Sequence, residues 1–195
     1  EEILTENNIQ YTVGVGEAAI YGPKMDLISK DSLGREWQLG TIQLDFIQPS
    51  RFGLTYIDSD GKEKTPVMIH RAIVGSPERF FGILLEHYAG AFPLWLSPIQ
   101  IAIIPISEKH LEYASKIQQT LECENIRIQV LPQNETLGKK IREAEMQKIP
   151  YLLIVGDKEI ATNTVGVRAR SKGDLGQMSV DTFIEKIRKE IAEKI

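Results

Sequence analysis

From residue 99 to the C-terminus, short apolar runs alternate with segments of helical period, and no other feature of the chain restricts its fold as much. Residues 99–104, Ile-Gln-Ile-Ala-Ile-Ile between two prolines, read as a buried strand. In residues 108–122, Leu111, Ala114, Ile117 and Leu121 recur at three- and four-residue intervals, which places them on one face of a helix. The same reading predicts a strand at 127–131, a helix at 137–147, a strand at 151–155 and a turn at 156–159. A strand at 164–170 and a helix at 180–194 complete the series. Strands joined through helices imply a parallel core, and a strand that follows a short turn is expected antiparallel at an edge.

The first half is patterned differently. Residues 1–8 read as the end of a helix, 9–15 and 25–30 as strands, and Asp31-Ser32-Leu33-Gly34 as a turn. A longer strand at 36–46 carries Trp37, Leu39 and Thr41 on one face and Gln38, Gly40 and Ile42 on the other. Residues 54–57 and 67–72 flank a hairpin-like turn, Asp58-Ser59-Asp60-Gly61, and such short connections favour antiparallel neighbours. Phe80, Phe81, Ile83, Leu84, Leu85 and Tyr88 make a largely apolar helix that is expected to end at Gly90 and to lie buried against the sheet. Pro93 and Pro98 break the pattern, which sets the expected boundary between domains 1–97 and 98–195. The expected class is α/β: an antiparallel α+β first part, then a mixed-sheet α/β domain.

Apolar residues make up 42% and charged residues 26% of the 195, and no apolar run is long enough to span a bilayer, so a membrane span and disorder are both disfavoured. The single cysteine, Cys123, allows no intrachain disulfide and no cysteine-based zinc cluster, in keeping with a cytoplasmic protein. A net charge of −4 means that any nucleic-acid binding must come from a local basic patch. The opening Glu1-Glu2-Ile3 has neither an initiator methionine nor a signal peptide, and reads as part of a longer protein.

Residues 66–79 join a β-like run to a charged helix start. Ser76 suits an N-cap, Pro77 the first helical position, and Glu78 the positive end of the helix dipole. Arg79 is placed against that dipole, which suits a fork waiting for an external anion such as a phosphate. By pattern alone it reads more readily as a surface arginine on an ordinary helix, and His70 as a histidine at the edge of the core.

In order, Tyr21-Gly22-Pro23-Lys24, Trp37-Gln38, Gly40-Thr41-Ile42-Gln43-Leu44-Asp45, Pro49-Ser50-Arg51, Met68-Ile69-His70-Arg71-Ala72, Gly75-Ser76 and Glu78-Arg79-Phe80 resemble the catalytic core of class II aminoacyl-tRNA synthetases, with the last three runs matching its third signature. The match is closest to the threonyl-tRNA synthetase family. Phe92-Pro93, Trp95-Leu96 and Pro98 are similar to its passage into the anticodon-binding domain. Ile149-Pro150-Tyr151, Gly156-Asp157-Lys158-Glu159, Val167-Arg168 and Asp174-Leu175-Gly176 are similar to that domain itself.

The resemblance implies ATP-dependent activation of threonine and its transfer to threonine tRNA, with ATP and magnesium as substrate. It implies Arg79, Lys24 and Tyr21 as catalytic residues, and Gln38, Thr41, Ser76 and Arg79 as lining the ATP and amino-acid site. His70 is implied as one of three zinc ligands, the others lying upstream. A metal held by three protein ligands can take the substrate hydroxyl, whereas an apolar pocket separates threonine from valine by only roughly a hundredfold. Asn134, Arg142, Glu159 and Arg168 are implied as tRNA contacts, with Lys139, Lys140, Arg170 and Lys172 as electrostatic footing. The full-length protein is expected to be a homodimer. Two functions stay open: part of an active ligase, or a catalytically incomplete tRNA-binding module.

Overall fold

The computed structural model describes residues 1–131 and 134–195, and its contacts divide the chain into two compact units, Glu1–Glu86 and His87–Ile195. In the first unit, helix α1 (Glu2–Glu6) leads into an irregular stretch. Residues 9–15, expected as a strand, form none: Val13 and Val15 are exposed, and no ladder partner lies beside them among the described residues. Strands β1 (Lys24–Lys30) and β2 (Glu36–Asp45) pair antiparallel about the turn at Asp31, whose carboxylate accepts the Leu33 and Arg35 N–H groups. After the one-turn helix α2 (Gln48–Arg51), β3 (Tyr56–Ile57) and β4 (Glu63–Lys64) close the Asp58 hairpin between themselves. Residues 67–72 were expected opposite 54–57. Instead β5 (Met68–Ala72) pairs with β2, giving the sheet order β1-β2-β5, because Gly61 and Lys62 return the chain to the nearer partner first.

Helix α3 (Pro77–His87) follows, and here too expectation fails, since it has no buried residue and Phe81 and Leu85 are 55% and 44% exposed. Its apolar residues are of the right type, but burial needs a covering layer. Among the described residues, every buried apolar side chain except Pro49 lies at Phe92 or beyond.

The second unit holds that core. Strand β6 (Ile101–Pro105) is followed by a 3₁₀ turn (Glu108–His110) that runs into α4 (Leu111–Glu122). Then come β7 (Ile128–Val130), α5 (Leu137–Met146), β8 (Tyr151–Val155), α6 (Asp157–Thr162), β9 (Thr164–Ala169), β10 (Gly173–Ser179) and α7 (Val180–Glu193). The sheet order is β10-β9-β8-β6-β7, with β8, β6 and β7 parallel and β8, β9 and β10 antiparallel. The predicted turn at 156–159 is the first turn of α6, and β9 is not the edge, because β10 lies outside it.

Alternate residues of each strand serve opposite faces. Ile101, Ile103, Leu153, Val165 and Val167 pack with Ile117 and Leu121 of α4 and with Phe183 and Ile187 of α7. Ala102, Ile104 and Leu152 pack on the other side with Ala144 of α5 and Leu131. Each large side chain so enclosed contributes about 1.5–3 kcal/mol of transfer free energy.

Residues 91–97, which the proline breaks set on the first-domain side, make their contacts within this unit. Leu94 enters the core, and Arg170 donates to the Ala91 and Phe92 carbonyls at 3.1 and 2.8 Å. Arg127 donates to the Ser97 and Trp95 carbonyls, each at 2.9 Å, and Gln100 donates to that of Leu94 at 2.9 Å. No helix among the described residues is long and apolar enough to cross a membrane.

Candidate functional site

The β1–β2 register sets Asp26 opposite Thr41. One Asp26 oxygen accepts the Thr41 hydroxyl and the Gln38 amide, both at 2.7 Å, and the other accepts the Lys24 ammonium. Three expected site residues therefore meet on a carboxylate that the sequence reading did not single out. Strict alternation puts Gln38 and Thr41 on opposite faces; a register shift between Leu27 and Ile28 bends the ladder beside them, and both reach Asp26. Burial opposes the Asp26 charge, but the hydrogen bonds from Lys24 and Thr41 prevail and hold its pKa below the ordinary value. The same bond raises Lys24 above its usual range.

At the end of β2, the buried Asp45 carboxylate does two jobs. Its Oδ1 accepts the Ile47 and Gln48 N–H groups at 2.9 and 2.8 Å, which starts α2, and its Oδ2 lies 2.9 Å from His70 Nε2 on β5. Burial again works against the charge, but the Gln48 N–H, His70 and the Ile47 N–H outweigh it and lower the Asp45 pKa. A carboxylate at Nε2 fixes the proton on that nitrogen in the neutral ring and leaves Nδ1 with its lone pair, an arrangement common behind metal-bound histidines. Tyr21 stands edge-on to His70 at 6.0 Å, and its hydroxyl donates to Gln43 Oε1 at 2.9 Å. Among the described residues no group of three or more His, Cys, Asp or Glu is placed to hold a metal ion. His70 has the donor chemistry of one ligand, and Cys123 and His110 belong to the second unit.

The start of α3 is pressed onto β2. Gly75 has φ +64°, and a Cβ there would fall 2.6 Å from the Leu39 carbonyl, so both its conformation and its contact require glycine. Ser76 caps the helix by accepting the Arg79 N–H at 3.4 Å and donates to Glu78 at 2.7 Å. The Arg79 guanidinium lies over the Trp37 ring, 5.6 Å from its centre, with Arg35 at 5.8 Å from the same ring. Trp37 is itself fixed by its indole N–H, which donates to Asp31 at 2.8 Å. At Asp31 burial is outweighed by hydrogen bonds from Trp37, the Arg35 side chain and backbone, and the Leu33 N–H, which hold the carboxyl at about 2. Arg79 thus rests on an aromatic platform anchored by a charged carboxylate.

In the second unit Asn134 and Arg142 are exposed. Arg168 is engaged: its Nε donates to Glu145 Oε1 at 3.3 Å. Glu159 is buried, with one oxygen accepting the Gly156 N–H at 2.9 Å and the other the Gln177 amide, so it fixes the start of α6. The basic footing is smaller than expected. Lys140 is 3% exposed and donates to the Pro105 carbonyl at 2.8 Å, Arg170 is spent on carbonyls, and Lys139 pairs with Glu135. Apolar packing on the sheet draws the Lys140 stem inward, and its ammonium then needs that carbonyl. Lys172 remains exposed.

Residues 2–88 match the family described as the tRNA synthetase class II core domain (G, H, P, S and T), and residues 100–190 the one described as the anticodon binding domain. The chain is 57% identical over 191 residues to a threonine–tRNA ligase of Caldanaerobacter subterraneus subsp. tengcongensis, covering 98% of this chain and 30% of that protein. It is 56% identical over 194 residues to that of Carboxydothermus hydrogenoformans, covering 100% of this chain and 31% of that protein. The chain spans about 30% of the length of these relatives. A crystal structure described as the RNA binding domain of threonyl-tRNA synthetase from Cryptosporidium parvum Iowa II superposes with a TM-score of 0.86 at 36% identity, over 97% of this chain and 48% of that one.

Proposed function

We propose that this chain, which belongs to the class II aminoacyl-tRNA synthetases, is the C-terminal portion of a threonine–tRNA ligase, which activates threonine with ATP and passes it to threonine tRNA. The observation that carries this reading is the order, in one chain, of a class II core segment and an anticodon-binding segment. Adenylate formation depends on positioning and charge stabilisation more than on covalent help. Arg79, held over Trp37, offers a guanidinium to the ATP phosphates. Lys24, Gln38 and Thr41, gathered by Asp26, line the nucleotide and amino-acid side, and Tyr21 with Gln43 faces the amino acid.

His70 supplies one zinc ligand, and zinc when bound there would take the threonine hydroxyl that valine lacks. Asn134, Arg142 and Arg168 contact the anticodon loop, while Glu159 serves by fixing α6. The whole ligase, on family grounds, is a cytoplasmic homodimer. The absence of a buried apolar core from the first unit's described residues favours a second reading for the chain in isolation, a tRNA-binding module without ligase activity.

The test is threonine-dependent ATP–pyrophosphate exchange. In the full-length ligase Arg79→Ala is expected to lower it by about 10²–10³-fold, and the 195-residue chain alone to show none. Unchanged exchange in the Arg79→Ala ligase would overturn the assignment.

A further inference from the structure

We propose that Glu145 is a specificity-determining residue whose carboxylate bars Arg168 from backbone phosphate and leaves it to read a base edge; this rests on the tRNA-binding reading above. Glu145 lies on α5 and Arg168 on β9, and their side chains, 49% and 36% exposed, meet at 3.3 Å. Across the ladder, the register partner of Arg168 on β10 is Asp174. The arginine is thus flanked by acidic positions from a helix and from a strand. An exposed ion pair of this kind adds little to stability. Its consequence lies in what Arg168 can meet.

A phosphate oxygen is an anion that only accepts hydrogen bonds. Brought to Arg168, it would have to displace the Glu145 carboxylate or sit beside it. The edge of an unpaired base is neutral and carries donors next to acceptors, so it can accept from Arg168 and donate to Glu145 without opposing charge. Glu145 therefore turns what would be a general anion site into one suited to a base. Arg142, exposed one turn earlier on α5, has no ion pair among the described residues and is free to take the backbone instead.

The experiment is equilibrium binding of the 195-residue chain across a salt series to threonine tRNA and to the same transcript with its anticodon bases replaced. The parent, Glu145→Gln, Arg168→Ala and the double variant are compared. Glutamine keeps a hydrogen bond to Arg168 and removes only the charge. Glu145→Gln is expected to tighten binding of the altered transcript by about 3–10-fold and to steepen the dependence of log K on log salt by about 0.7–0.9, one added phosphate contact. Discrimination falls correspondingly, and the gain disappears in the double variant. An unchanged salt slope and discrimination in Glu145→Gln, or a gain that survives loss of Arg168, would overturn the proposal alone. A parent chain that binds neither transcript would overturn the tRNA-binding reading with it.

Discussion

Ile103 and Leu153 in the second unit have no exposed surface, whereas Leu27 and Ile69 in the first are 62% and 65% exposed, although all four are strand residues. The second sheet has a helix layer on each face, so each strand residue finds a wall to pack against. Among the described residues the first has neither, and its geometry comes from backbone ladders and three carboxylates. Asp26 gathers Lys24, Gln38 and Thr41, Asp31 holds Trp37 and Arg35, and Asp45 holds His70 and the start of α2. Packing fixes the proposed tRNA reader; hydrogen bonding fixes the proposed reaction side. A polar site can thus be laid out locally before its apolar surroundings are complete.

The contrast breaks most readily at the core. Phe183→Ala should cost about 3–5 kcal/mol and Ile103→Ala about 2–5 kcal/mol. Leu27→Ala should change stability by less than about 0.5 kcal/mol. Urea unfolding of the three variants checks this, and equal losses would remove the distinction. A smaller effect is expected at Arg170, which anchors residues 91–92 to the second unit. Arg170→Ala should cost about 1–2 kcal/mol and speed hydrogen exchange at the Leu96 and Ser97 amides, which bond to Pro93.

The first unit can be sharpened at its carboxylates. Asp45→Asn keeps an oxygen for the Ile47 and Gln48 N–H groups but turns a donor toward His70, so the ring proton should move from Nε2 to Nδ1. Nitrogen-15 NMR of His70 reads this directly, and an unchanged tautomer would contradict the geometry. The least effect, confined to acid, belongs to Asp31. Its folded carboxyl is held at about 2, below the ordinary value near 4, so its contribution is complete above about pH 4 and disappears as the pH falls toward 2. Asp31→Asn should abolish that part of the acid transition, and identical acid midpoints would show that the carboxylate contributes nothing.

Where sequence periodicity had a packed partner, it read the structure well. The face Ala114, Ile117 and Leu121 is the buried face of α4, and residues 151–155 are a strand as expected. The same logic misled at α3, whose apolar residues await a layer that the described residues do not provide. Helix α6 has six residues, too few to show a period, and its signal was instead Glu159 placed to take the Gly156 N–H. Strand β10 was hidden by Gly173 and Gly176, which interrupt its alternation.

The candidate residues were legible by type, but their organisers were not. Asp26 and Asp45 act through register, which a linear pattern does not reveal. Acidic residues are uncommon in strands, and that oddity was the one available clue.

Binding of threonine tRNA to the 195-residue chain at moderate salt, compared between Arg142→Ala and Arg79→Ala, tests the division of labour most directly. The account predicts that Arg142→Ala weakens binding by about 5–100-fold, the loss of one good contact, while Arg79→Ala leaves it unchanged. Weakening by Arg79→Ala with Arg142→Ala silent would contradict it.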